Sequence, residues 1–350
     1  MQKVAASLGR RAPADLKQRM ASCSADDRSA MARAFAAADA VLPAEIRKVH
    51  GPVDVTVREQ LRDKGCCDLG RLLSASQVDD VRKHLEARPT LVGRAPSHWD
   101  KPAASLENVP RDENYACYSY LDLWSSPHVL ELATQDRLLD LVQGYLECTP
   151  TLCSLNAFWA LPERKADPQY QAFHRDLKDC RSLTVFTLLT PVEVPEEGAY
   201  VHVDGSHDVP MLEASLRAEG VRTNVDYLMA GTFVAPLTTR LFHRTARRFH
   251  GPAGASLCAD TFALNRWLVP RSRPQLVLEM RFGTFFNELA YDMTLGRDNS
   301  RRFRRVVRLA TAAFDRSRGR RLRGVLQRIP ATPRHRYIFR YLTQALAAEL

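Results

Sequence analysis

Gln171-Ala172-Phe173-His174-Arg175-Asp176 stands just ahead of the run Ser182-Leu183-Thr184-Val185-Phe186-Thr187-Leu188-Leu189-Thr190. In extended chain, residues two apart point to the same side, so His174 and Asp176 converge on one point. An imidazole and a carboxylate placed this way supply two ligands to a divalent metal. A lone His-x-Asp recurs by chance in chains of this length, and its bland reading is a surface or hydrogen-bonded pair. The surrounding sequence decides between the two.

Working outward, residues 151–283 alternate short β-branched and aromatic runs with Pro, Gly and Asp turns. The runs fall at 183–189, 198–203, 233–236, 256–260 and 276–282. Strands at that spacing predict an antiparallel sandwich or barrel. The region before them is helical. Apolar residues three and four apart predict a helix over 29–42, and Gly51-Pro52 marks a break. A second helix is predicted over 55–63, then an extended piece over 65–73. A helix over 74–87 starts on a Ser74 or Ser76 cap, and a helix pair spans 125–146. Residues 88–115, rich in Pro, Arg and Asn, are expected to be surface loop. From 299 the chain is helical again. The plan is α+β, with N-terminal helices over a jelly-roll core and a basic helical extension after it. The expected divisions are 1–50, 51–290 and 291–350.

The series continues past the first motif with Glu196-Glu197-Gly198-Ala199-Tyr200, Val203-Asp204-Gly205-Ser206-His207, Gly251-Pro252-Ala253-Gly254 and the run 276–283. In that order, over about 55–285, it resembles the phytanoyl-CoA dioxygenase family of non-haem Fe(II)/2-oxoglutarate oxygenases. The resemblance implies a double-stranded β-helix that binds Fe(II) and 2-oxoglutarate and oxidises a small molecule, lipid or sugar. It implies His174 and Asp176 as metal ligands. The family's distal His falls at Asn265, whose amide oxygen is a weaker donor to iron than imidazole. The family's Arg for the far carboxylate of 2-oxoglutarate falls at Gln275, which can bond a carboxylate but not neutralise it. Arg281, six residues on, faces the same side as Gln275; Ser182 and Asn156 are further candidates for the co-substrate. Tyr118, Tyr120, Trp159 and Trp267 are candidates for the substrate pocket. His243 and His250 flank a basic stretch and are alternative ligands; His202 and His207 read as packing and turn residues. Two functions follow: an oxygenase, or a barrel that has lost its chemistry and serves as a binding or partner-docking module.

The 350 residues carry a net charge of +10. Residues 297–340 alone hold fifteen Arg, no Lys and two Asp, so the rest is slightly acidic. A helix over 301–313 would set its Arg side against anionic lipid, glycan or a protein partner. Nucleic acid is the least supported partner, because Phe303, Phe314, Tyr337, Phe339 and Tyr341 do not interleave with Arg as a stacking platform would. An anionic small-molecule substrate would suit the same excess charge. Eight scattered Cys without a Cys-x-x-Cys pair point to reduced thiols and a cytoplasmic location. No apolar run is long enough to span a membrane, and the N-terminus lacks a signal-peptide core. Phosphate-binding loops, nucleophile elbows and kinase or Rossmann signatures are absent from the sequence.

Overall fold

The computed structural model describes residues 25–52, 54–92, 101–103, 105–111, 113–162, 172–176, 179–220, 232–233, 241–242, 245–284, 324–325 and 327–340. Its first part is helical. α1 (Ala25–Asp39) and the short α2 (Ala44–Arg47) lead to α3 (Val55–Lys64), which begins on an Asp54 carboxylate accepting from Thr56 N. α3 stops at Gly65, φ 77°, a left-handed turn that favours glycine. A Cβ at Gly65 would also strike the His207 ring. β1 (Cys66–Arg71) follows, then α4 (Ala75–Glu86). Ser74 Oγ accepts from Gln77 N at 3.2 Å while Ser74 N donates to Gln77 Oε1 at 2.9 Å, a reciprocal cap.

The stretch 88–115 is not all loop. It holds β2 (Thr90–Val92), β3 (Lys101–Ala103) and the start of β4 (Tyr115–Cys117), which extend the larger sheet. Three residues carry too little alternation to be read as strand, and Pro102 lies in the edge strand β3, where proline is tolerated. α5 (Tyr120–Ser125), α6 (Val129–Ala133) and α7 (Asp136–Leu146) come next. α7 buries Leu138, Leu139, Leu141, Val142 and Leu146, each contributing roughly 1.5–3 kcal/mol. They join one core with Leu276, Leu278, Met280 and Phe282 on the outer face of the larger sheet.

The remaining strands are β5 (Thr151–Ala160), β6 (Phe173–His174), β7 (Ser182–Leu188) and β8 (Tyr200–Val203). After α8 (Val209–Ala218) come β9 (Thr232–Phe233), β10 (Ala246–Phe249), β11 (Ala255–Ala259), β12 (Asn265–Trp267) and β13 (Gln275–Gly283). The larger sheet runs β1-β11-β7-β13-β5-β4-β2-β3 and the smaller β10-β8-β12-β6-β9, with every pairing antiparallel. Strands β5 to β8 and β10 to β13 change sheet at each step, so the two sheets are wound together into a double-stranded β-helix of the jelly-roll type. α8 was not expected in a region of strands. Asp208 caps it through Met211 N, Pro210 suits its first turn, and Leu212 and Leu216 cover Val201 and Val203 of the smaller sheet.

The chain returns to the first core at α9 (Pro333–Ile338), where Phe339 stacks edge-on against Trp124 at 6.5 Å. Arg334, 1% exposed, pairs with Asp140 at 2.7 Å and donates to Gln143 Oε1 at 2.9 Å. This part of the basic segment thus uses an Arg inside the fold. The expected helix 301–313 and the basic residues 316–323 lie outside the described residues. Among the described residues no helix is long and apolar enough to cross a membrane, and the cysteines are unbridged.

Candidate functional site

Register puts the motif residues on one face. On the smaller sheet Asn265 of β12 pairs with His174 of β6 on one side and His202 of β8 on the other. Directly opposed residues of neighbouring strands share a face, so these three side chains form a row. On the larger sheet β13 alternates: Leu276, Leu278, Met280 and Phe282 face the helices, while Gln275, Val277, Glu279 and Arg281 face the interior between the sheets. Arg281 lies opposite Ser154 of β5 and Thr184 of β7, and Glu279 opposite Asn156 and Phe186.

Arg281 Nη2 sits 2.9 Å from Asp176 Oδ2 and 3.1 Å from Glu279 Oε1, while its Nε donates to Thr184 Oγ1 at 3.2 Å. The Arg281 side chain is 6% exposed and the two carboxylates 18% and 16%. A cation of the protein itself therefore bridges the carboxylate of the His-x-Asp motif and a second carboxylate. His174 Nδ1 lies 3.3 Å from Ala172 O, which orients the ring. Arg175, between the two motif residues, is buried over the Phe262 ring and donates to Ser206 O at 2.8 Å, anchoring the segment. Burial and the neighbouring Arg28 lower its pKa to about 9.

Asn265 is buried and its amide nitrogen is committed to backbone carbonyls: Thr261 O and Ala263 O at 2.9 Å and His174 O at 3.3 Å. It ties the turn into β12 to β6, and only its oxygen is left to offer elsewhere. Gln275 is buried at the opposite end of the β13 inner face. Its Oε1 has no hydrogen-bond partner and lies against Gly198, φ 93°, where a Cβ would collide with it. Between Gln275 and Arg281 the interior is aromatic. Trp267 lies 5.7 Å from Phe158, 5.4 Å from Phe186 and 5.2 Å from Tyr200, ring centre to ring centre.

The other sequence candidates divide by strand face. Asn156 faces the interior beside Glu279, and Ser182 is buried at the start of β7 opposite Gly283. Tyr118 and Trp159 lie instead in the core beneath the helices, with Trp159 Nε1 donating to Tyr118 Oη at 2.8 Å. Period-2 alternation sends Trp159 to the side opposite Asn156 and Phe158. Tyr120 opens α5. His207 Nε2 lies 3.0 Å from Arg62 O. His243 lies outside the described residues, and His250 follows β10. Glu279, Phe186 and Tyr200, which are not among the sequence candidates, also face the interior. Glu279 and Arg281, two apart in an otherwise apolar strand, were a legible sign of a polar patch on one inner face.

No protein-family model matches the chain, and no curated protein matches it. Among solved structures it is similar to the non-heme alpha ketoglutarate dependent epimerase SnoN from nogalamycin biosynthesis, at 16% identity and TM-score 0.46 over 65% of this chain and 82% of that one. It is also similar to HygX from Streptomyces hygroscopicus with nickel and 2-oxoglutarate bound, at 17% and 0.44 over 68% and 90%. A third is EvdO2 from Micromonospora carbonacea var. aurantiaca complexed with 2-oxoglutarate, at 17% and 0.39 over 67% and 92%. The fold assignment rests on the strand order: this is an α+β protein built on a double-stranded β-helix.

The residues present do not fit Fe(II) and 2-oxoglutarate together. Iron would need the Asp176 carboxylate that Arg281 holds, and its third donor would be the Asn265 amide oxygen, a weaker ligand to Fe(II) than imidazole. A dicarboxylate reaching toward Gln275 would meet four aromatic rings and an amide without positive charge.

Proposed function

We propose that this chain is an oxygenase-type barrel that has lost iron and 2-oxoglutarate chemistry and works as a binding module. The observation that carries the reading is the bridge of Arg281 between Asp176 and Glu279. A guanidinium supplies locally the positive charge that a divalent metal would otherwise bring, and it satisfies both carboxylates without leaving an open coordination position. The interior is then split into a polar end, with His174, Asp176, Asn156, Glu279 and Arg281, and an aromatic end around Trp267. The polar end, with both charge signs and amide and hydroxyl groups, suits a small polar molecule recognised by hydrogen bonds.

The experiment is an oxygen-uptake and succinate-formation assay on purified full-length protein with Fe(II), ascorbate and 2-oxoglutarate. The expected result is no consumption above the free-iron background. Uptake that disappears in His174→Ala would overturn the reading.

A second reading has one observation in its favour. His174 keeps Nδ1 near a carbonyl, the arrangement that presents Nε2 to a metal, and Asp176 follows two residues later. On that reading Arg281 leaves Asp176 when metal arrives, and the protein is a non-haem Fe(II)/2-oxoglutarate oxygenase of the phytanoyl-CoA dioxygenase type acting on a small molecule. The same assay separates the two.

A further inference from the structure

We propose that Cys66, His202 and Asp204 form a binding site for one Zn²⁺-class divalent metal, where the turn into β1 meets the end of β8. His202 stands beside Asn265 in the row that ends at His174, but none of the three belongs to the polar end around Arg281, and the site stands or falls separately from the function proposed above. Among the described residues these three are the group of His, Cys, Asp and Glu whose ligand atoms come together, all within 4.8 Å of one another.

The independent sign of a ligand is His202. It is 1% exposed, and its Nε2 lies 2.9 Å from Lys64 O. A carbonyl only accepts, so Nε2 carries the proton and Nδ1 keeps the lone pair. That Nδ1 is buried and has no hydrogen-bond partner. A bare buried acceptor costs free energy unless something fills it, and an imidazole whose other nitrogen donates to a carbonyl is the usual setting of a metal-bound histidine.

The other two donors lie close to each other. Cys66 Sγ lies 3.7 Å from Asp204 Oδ1. Sulfur and oxygen bound to one tetrahedral Zn²⁺ lie about 3.6 Å apart, given the usual Zn–S and Zn–O lengths. On binding, the Cys66 S–H bond breaks, its proton goes to solvent, and the thiolate takes the metal in its place. Arg247 grips Asp204 from the outside, Nη2 to Oδ2 at 2.8 Å and Nε to Oδ1 at 3.2 Å, fixing the carboxylate as outer partners of ligating groups do. The Asp204 side chain is 22% exposed, which gives an ion a way in, while Cys66 is fully buried. One thiolate, one imidazole and one carboxylate select zinc or cobalt over magnesium or calcium, with water in the fourth position.

The test is a Co²⁺ titration of chelator-stripped full-length protein, read by absorbance. One equivalent should give a thiolate-to-cobalt charge-transfer band and tetrahedral visible bands, all displaced by Zn²⁺. Cys66→Ser should abolish the charge-transfer band, and His202→Gln should weaken Co²⁺ binding more than ~10-fold. His174→Ala should leave the spectrum unchanged. Cys67→Ser should too, although Cys67 Sγ lies 3.1 Å from Cys258 Sγ and that thiol pair is the competing site. Absence of the band, its survival in Cys66→Ser, or its loss in Cys67→Ser overturns the proposal. Should the buried variants misfold, Asp204→Asn at the rim decides: weakening beyond ~10-fold supports the site and unchanged affinity overturns it.

Discussion

Arg281 Nη2 lies 2.9 Å from Asp176 Oδ2, so the carboxylate of the His-x-Asp motif is held by a cation from the same chain. The second carboxylate, Glu279, lies 3.1 Å from the same nitrogen. Asp176 arrives on the segment after β6 and Arg281 on β13, so the pair also ties the two sheets across the barrel interior.

Removing that cation leaves two carboxylates facing each other in a mostly buried setting. Arg281→Gln is expected to destabilise the fold by about 3–5 kcal/mol near neutral pH. Acidification should return part of the loss as the carboxylates protonate. Urea unfolding of parent and variant measures it, and a difference below about 1 kcal/mol would mean the bridge is not formed in solution.

Phe186, 2% exposed, is packed against Tyr200 and Trp267 in the space between the sheets. Phe186→Ala is expected to cost about 3–5 kcal/mol, as for other truncated core aromatics. An unfolding midpoint that does not move would show this space to be open rather than filled.

His202 gives the fold a pH dependence. Its pKa falls from the ordinary 6.5 to about 4 because burial penalises the charged ring, against the Lys64 carbonyl and the Asp204 and Asp260 carboxylates, which favour charge, and with His207, which opposes it. The unfolded chain takes up a proton below pH ~6.5 that the folded chain refuses until pH ~4. Stability from this group is therefore complete above ~6.5 and falls with pH down to ~4, by on the order of 3 kcal/mol in total. His202→Gln should flatten that part of the stability profile, and an unchanged slope would assign the proton uptake to other groups.

The C-terminal Arg residues are not equivalent. Arg334 is buried against Asp140, while Arg336 is exposed. Arg334→Ala should cost about 3–5 kcal/mol by stranding the Asp140 charge. Arg336→Ala should stay within about 0.5 kcal/mol. Equal effects in thermal unfolding would remove the structural role assigned to Arg334.

The barrel is legible because the apolar, β-branched and aromatic runs at 183–189, 256–260 and 276–282 are set off by turn residues and the motifs come in a fixed order. β2 and β3 were not, since three residues and a proline carry no period. α8 was missed because Asp208-Val209-Pro210 reads equally as a turn between strands until its cap is seen. At the site, Asn265 and Gln275 could be found by position, but not what they do. The Asn265 nitrogen turns to two carbonyls placed by the turn at 261–263 and to a third, His174 O, on a neighbouring strand 91 positions away. The partnership of Asp176 with Arg281 spans 105 positions, and that of Cys66 with Asp204 spans 138, so neither leaves a local trace. Asn156 and Trp159 both lie on the strand ahead of the His-x-Asp, but three positions apart they take opposite faces, a distinction that needs the sheet's orientation.

The most direct measurement is an anaerobic calorimetric titration of Fe(II), with and without 2-oxoglutarate, into the Cys66→Ser protein, which leaves the His174 end as the reporter. The expected result is no stoichiometric Fe(II) binding, no effect of 2-oxoglutarate, and the same flat response in His174→Ala. One equivalent of tightly bound Fe(II), tightened further by 2-oxoglutarate and lost in His174→Ala, would contradict it and restore the oxygenase.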